Sequence, residues 1–244
     1  MSIAANIEGI REQIDVACRG VGRDPSGITL LAVCKQQPPE TVGAAVVAGL
    51  RHLGENRVEE AVTKIPQVQS CVAEPIVWHM VGHIQSRKAR QIPGLFQMVH
   101  AVDRLNLARR LSALMHERGD TLDVLLEINV SGEASKAGFN AFGWQEDAEL
   151  RARLWQDCET LLGFPGLRVC GLMTMAPIAP DMETTRPVFR QLAALRAALA
   201  RDLGVPLPEL SMGMTDDFPV AVEEGATIVR IGRAIFGPRR ENEK

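Results

Sequence analysis

Lys35 is the residue in this chain best placed to do covalent chemistry. It comes just after Ile28-Thr29-Leu30-Leu31-Ala32-Val33, an apolar run that reads as a buried strand. A lysine there either extends its ammonium out of the protein or serves as an imine-forming amine. An amine attacks an aldehyde only when neutral, so its pKa must fall below the reference of about 10.4. Partial burial and a nearby cation both push it down. Arg230, at the end of a late strand, is a candidate for that cation. Two further segments could hold an anion. Ser211-Met212-Gly213-Met214-Thr215 and Arg230-Ile231-Gly232-Arg233-Ala234 follow successive strands. Gly213 and Gly232 let the backbone come close to an anion, and the Ser211 hydroxyl adds a donor. Taken singly, each glycine simply turns the chain; taken together, they outline a phosphate site.

Other polar residues sit at strand ends. Asn56 in Gly54-Glu55-Asn56 either contacts a cofactor edge or caps the next helix. His79 and His83 span a strand end and a loop, and no H-E-x-x-H is present, so no metal site is expected. Ser131-Gly132-Glu133-Ala134-Ser135-Lys136-Ala137-Gly138 either closes over the mouth or is a plain surface loop. Its Lys136 is a candidate second amine.

The elements that must position these residues alternate. A helix over 3–17 carries Ile3, Ile7, Ile10 and Ile14. Strands are then expected at 28–33, 52–56, 77–82, 98–102, 123–130, 167–175, 210–212 and 226–231. Helices fall between them, with one near 86–92 and one capped by Asp103. Eight apolar strands alternating with helices indicate a parallel sheet, and the turn after the first strand lacks the glycines of a dinucleotide-binding sheet. The expectation is one α/β domain over 1–244: a single (βα)8 TIM-type barrel with an extra N-terminal helix. Active sites of such barrels lie at the C-terminal ends of the strands, and phosphate commonly binds after strands seven and eight.

Composition narrows the function. The 244 residues suit one barrel of about 250 residues. A net charge of −3 gives no basic excess for nucleic acid or a membrane surface. No signal peptide or membrane span is visible. The five cysteines, an odd number without C-x-x-C spacing, read as buried small hydrophobes in a reducing cytoplasm.

Several motifs carry a resemblance. Ala32-Val33-Cys34-Lys35, Gly54-Glu55-Asn56, Trp78-His79 with Gly82-His83-Ile84-Gln85-Ser86, and Ser131 to Lys136 are similar to the pyridoxal phosphate homeostasis proteins. So are Gly171-Leu172-Met173, Ser211-Met212-Gly213-Met214, Val229-Arg230-Ile231-Gly232 and Ala234-Ile235-Phe236-Gly237. The resemblance implies a barrel like the alanine racemase N-terminal domain, binding pyridoxal 5′-phosphate (PLP) as a Schiff base on Lys35. It implies that Ser211 and the backbone of Gly232 and Arg233 hold the phosphate, and that Arg230 faces the pyridine nitrogen. The implied role is to buffer and deliver PLP in vitamin B6 homeostasis, with apo PLP-dependent enzymes as recipients. A monomer is expected, with a dimer as the alternative. Arg233 stands where the family usually has threonine, Arg87 replaces a frequent asparagine, and Cys34 a frequent serine. Cys34 beside the lysine suggests a thiol adduct.

Two other functions compete with a carrier: a PLP-dependent amino-acid racemase, and a barrel for some other phosphorylated metabolite. Racemisation needs acid–base groups on both faces of the substrate carbon. The chain contains no tyrosine to supply the second, leaving Cys34 or His79 as substitute bases. Arg230 stays protonated and donates to the ring nitrogen without protonating it, which weakens the electron sink. The expectation is binding without efficient turnover.

Overall fold

The architecture follows from short β-rich runs separated by longer amphipathic stretches. The computed structural model describes residues 2–238. Helix α1 (Ile3–Gly20) is capped by Ser2, whose hydroxyl accepts from the Ala5 N–H, and it buries Ile7, Ile10, Ile14 and Ala17. There follow β1 (Thr29–Val33), α2 (Pro39–Val47), β2 (His52–Glu55), α3 (Val58–Cys71), β3 (Val77–Met80), β4 (Met98–Val102) and α4 (Leu105–Glu117). The second half adds β5 (Leu122–Asn129), β6 (Phe139–Asn140), α5 (Ala148–Leu162), β7 (Leu167–Met173), α6 (Arg186–Leu203), β8 (Glu209–Ser211), α7 (Phe218–Glu223), β9 (Ile228–Ile231) and α8 (Arg233–Phe236).

The pairings are parallel, in the order β1, β2, β3, β4, β5, β7, β8, β9, and β9 returns to β1. This closes an eight-stranded barrel, with β6 as a two-residue side strand on β5. The expected barrel with an extra N-terminal helix is therefore present. Alternation along the strands divides the core in two. The larger part lies between strands and helices and includes Leu53, Trp78, Met80, Leu126 and Phe189. The smaller part fills the barrel with Leu31, Ala101, Leu125, Cys170, Met173 and Ile228.

Three local expectations fail. The segment Ser86–Gln91 is a 3-10 helix. Arg104 occupies the cap position of α4 without a side-chain bond; the Asp103 carboxylate instead pairs with Arg104 and, at 2.8 Å, with His83. These two side chains outcompete the backbone N–H groups for it. Asn56 does not cap α3, whose cap position is Arg57. Of the five free cysteines, Cys71 is exposed and the others are buried.

Candidate functional site at the barrel mouth

Register sets the mouth. Val33 of β1 pairs with Gly54 of β2, so Lys35 and Asn56 each stand two residues past the same rung. On the other side, β1 pairs with β9, with Leu31 opposite Arg230. Lys35 is half-buried. Asn56 is half-buried too, and its Oδ1 is sealed without a hydrogen-bond partner among the described residues. Such an atom is costly unless something pairs with it. A groove of about 720 Å³ borders this edge of the mouth, lined by Asn56, Gly82 and His83 among others.

The loops after β8 and β9 form the other side. Gly213 adopts φ +90°, and a Cβ there would lie 2.6 Å from the Ala221 Cβ and 2.9 Å from the Phe218 Cα. Only glycine fits both the angle and the space. At Gly232 a Cβ would approach the Val33 carbonyl oxygen to 3.1 Å, so β9 hugs β1 beside the turn that carries Lys35. Arg233 is exposed and its guanidinium pairs with Asp216 in the loop after β8. That bridge ties the two candidate phosphate loops together.

Arg230 is 6% exposed and Ser211 is fully buried. Arg230 Nη1 donates to Ser211 Oγ at 2.7 Å, and Nη2 donates to the Thr174 carbonyl at 2.8 Å. Burial lowers the Arg230 pKa to about 10, against the pull of Asp217 and Glu127, so the group stays cationic at neutral pH. The Ser211 hydroxyl is thus held between the Arg230 guanidinium and His100 Nδ1. The hydroxyl of that loop that remains half-exposed is Thr215.

Below Arg230 runs a column of imidazoles. Ser211 Oγ meets His100 Nδ1 at 2.8 Å, His100 Nε2 meets His79 Nδ1 at 2.9 Å, and His79 Nε2 meets His52 Nδ1 at 2.9 Å. Burial pushes all three pKa values down. His79 falls to about 3, with His52 adding to the effect. His100 is held well below its ordinary value by burial and then by His79, Arg230 and His52, while Glu209 partly offsets the shift at His52. Neutral imidazole has one donor and one acceptor, so the three rings must share one direction. Arg230 donates to Ser211. With Ser211 donating to His100 Nδ1, the column points away from the mouth. His52 ends it in a cleft of about 450 Å³ beside Thr29 and Arg51.

Glu127, near the mouth end of β5, is pushed up to about 7 by burial and by Asp103, against Arg230. The Cys34 thiol is buried and bonds to the Gly54 carbonyl and to Glu55 Oε1. Burial and Glu55 hold its pKa well above the ordinary value, so the expected thiol adduct has neither the access nor the thiolate it needs. The loop bearing Lys136 is pinned by Asn129, whose Oδ1 accepts from the Ser131 and Gly132 N–H groups. Lys136 Nζ itself reaches the Ala176 carbonyl at 3.4 Å. No group of metal-ligating residues occurs among the described residues, and none of the described helices is long and apolar enough to cross a membrane. His52, His100, Glu127, Lys64 and Glu60 were not singled out from sequence.

The profile of the alanine racemase N-terminal domain family matches residues 5–240, and this defines the class of barrel. Among curated proteins, the pyridoxal phosphate homeostasis protein of Pseudomonas aeruginosa is 41% identical over 238 residues, covering 98% of this chain and 96% of that one. That of Aquifex aeolicus is 38% identical over 240 residues, covering 98% and 100%. Among solved structures, PipY of Synechococcus elongatus with PLP bound superposes with a TM-score of 0.80 at 34% identity, covering 97% and 100%. The chain belongs to the pyridoxal phosphate homeostasis protein family.

Proposed function

We propose that this protein binds PLP at the barrel mouth and serves as a cytoplasmic buffer and donor of the cofactor to apo-enzymes, without efficient turnover. The observation that carries the reading is the juxtaposition of Lys35, Asn56 and Arg230 on adjacent strands, in a barrel closely similar to one solved with PLP. PLP supplies an aldehyde that condenses with a neutral lysine amine to an imine, releasing water. Lys35 provides that amine. Asn56 offers a sealed amide oxygen for a cofactor group to pair with. Arg230 presents a buried cation to the ring. Its charge favours the neutral form of a nearby amine. The phosphate falls to the Thr215 hydroxyl and to the backbone of Gly213, Gly232 and Arg233, where charge-assisted bonds contribute about 1.5–3 kcal/mol each. Ser211, held against Arg230, stands with them as a further side-chain hydroxyl of that phosphate site.

The substitute bases for racemisation are poorly placed. His79 is sealed with both nitrogens engaged, and the Cys34 thiol turns towards Glu55. Incubation with L-alanine in deuterated water should leave the α-hydrogen unexchanged; robust exchange lost with Lys35→Ala would make the protein an enzyme.

Borohydride reduction of the PLP-loaded protein, followed by peptide mass spectrometry, tests the anchor. The label is expected on Lys35, and Lys35→Ala should lose the visible absorbance while keeping its fold. A full complement of reducible cofactor on another lysine in that variant would refute the assignment.

A further inference from the structure

We propose that Glu60 and Lys64 are positioning residues for Lys35, fixing the peptide groups on both sides of it so that its amine meets the cofactor aldehyde in one orientation. The inference rests on the reading of Lys35 as the cofactor lysine.

Lys64 lies on α3 and is buried. Its Nζ donates to the Cys34 carbonyl at 2.8 Å, to Glu55 Oε1 at 2.8 Å and to Glu60 Oε1 at 2.5 Å. An ammonium has three N–H donors and no acceptor, so this lysine is saturated. Glu60 Oε1 also accepts from the Gln36 N–H at 2.5 Å. The carbonyl just before Lys35 and the N–H just after it are thus held by one ion pair, four residues apart on one helix face. Those two peptide planes define the backbone torsions of Lys35 and hence the direction in which its side chain leaves.

The next residue shows what the pair restrains. Gln36 has φ +60°, the only positive value among the described non-glycine residues. A side chain in that region is strained and persists where the surroundings hold it. The Glu60 bond to its N–H is such a hold. Burial works against the Lys64 ammonium, but its bonds to Glu55 and Glu60 outweigh this and hold its pKa above the ordinary value. Lys64 therefore stays charged and does not compete for an aldehyde, although it lies close by in the chain fold. The fully buried Glu55 anchors the assembly from β2.

A clamp on one residue's backbone should affect the reaction with an aldehyde far more than the capture of phosphate. Glu60 is partly exposed, so the protein should fold without it. The experiment compares wild type, Glu60→Ala and Glu60→Gln. It follows the absorbance change on mixing with PLP, and the affinity for pyridoxine 5′-phosphate, which has the same ring and phosphate but an alcohol in place of the aldehyde. Glu60→Ala is expected to slow the change by up to about a hundredfold, the scale of a misplaced reacting group, with pyridoxine 5′-phosphate affinity unchanged. Glu60→Gln keeps an acceptor oxygen and should react like wild type. A wild-type rate in Glu60→Ala would overturn the proposal. So would parallel loss of both ligands, or a Glu60→Gln variant as slow as Glu60→Ala. If reduction places the cofactor on a lysine other than Lys35 in wild type, both the anchor and the clamp fall; if it labels Lys35 and Glu60→Ala is unaffected, only the clamp falls.

Discussion

Under Lys35 the chain buries formal charge, in the Lys64–Glu55–Glu60 cluster; inside the barrel it buries neutral imidazole, in the column from His100 to His52. Both bury polar groups wholly or in part, and both engage them with one another. They differ in what holds them. The charged cluster binds backbone on both sides of one residue, and its geometry is set by an ammonium with three fixed partners. Among the described residues the column's rings bond to one another and to Ser211 rather than to backbone, with the Arg230 cation at the head. Charge therefore serves where one torsion pair must be fixed, and neutral relays serve where a barrel must be filled without building up like charge. The two should fail in different ways.

The largest effect is expected at Lys64. Removing one partner of a buried ion pair leaves the other uncompensated, at about 3–5 kcal/mol. In Lys64→Met the fully buried Glu55 is that orphan, and its second oxygen already lacks a hydrogen bond. Urea denaturation should show the loss, and the double change Lys64→Met with Glu55→Leu should recover much of it. If Lys64→Met alone matched wild type in stability, the cluster would not be a charged one.

How much of this could be read in the sequence depends on what fixes each residue. The barrel was legible because its strands are short apolar runs between amphipathic helices, and parity along them is regular. Lys35, Asn56, Arg230 and Gly232 were legible as polar or flexible residues at strand ends, where mouths lie. Ser211 was legible as a strand-end hydroxyl, but its bonds to Arg230 and His100 were not, because only packing brings those side chains to it. His79 carried a signal that went unused: it stands between outward-facing Trp78 and Met80, so parity alone turns it inward. His100 carried no such signal, because the β4–β5 register shifts between Val99 and Val102 and breaks parity there. Lys64 and Glu60 belong to a helix face that reads as ordinary i,i+4 charge; their target is the turn after β1, which sequence spacing cannot connect to them.

The smaller effect is a pH dependence that separates the two clusters. An unfolded histidine titrates near 6.5, while folded His79 is held down at about 3. Between those values the unfolded chain binds more protons than the folded one, so stability falls as pH falls. At pH 5 the contribution of His79 alone is about 2 kcal/mol relative to pH 8, with His100 and His52 adding in the same direction. Glu127 opposes this, since its raised value near 7 makes the folded state bind the extra proton over part of the same range. The clean measurement is therefore a difference: the urea midpoint of wild type minus that of His79→Gln, followed from pH 8 to pH 5. The column predicts that the difference shrinks towards acid, because the variant no longer has a buried imidazole that the unfolded state can protonate. The raised pKa of Lys64 predicts the opposite edge, with stabilisation present below its unfolded value near 10.5 and lost as pH rises through the folded one. A difference between wild type and His79→Gln that stayed constant with pH would mean that His79 titrates alike in the folded and unfolded chain, and the neutral column would have to be abandoned.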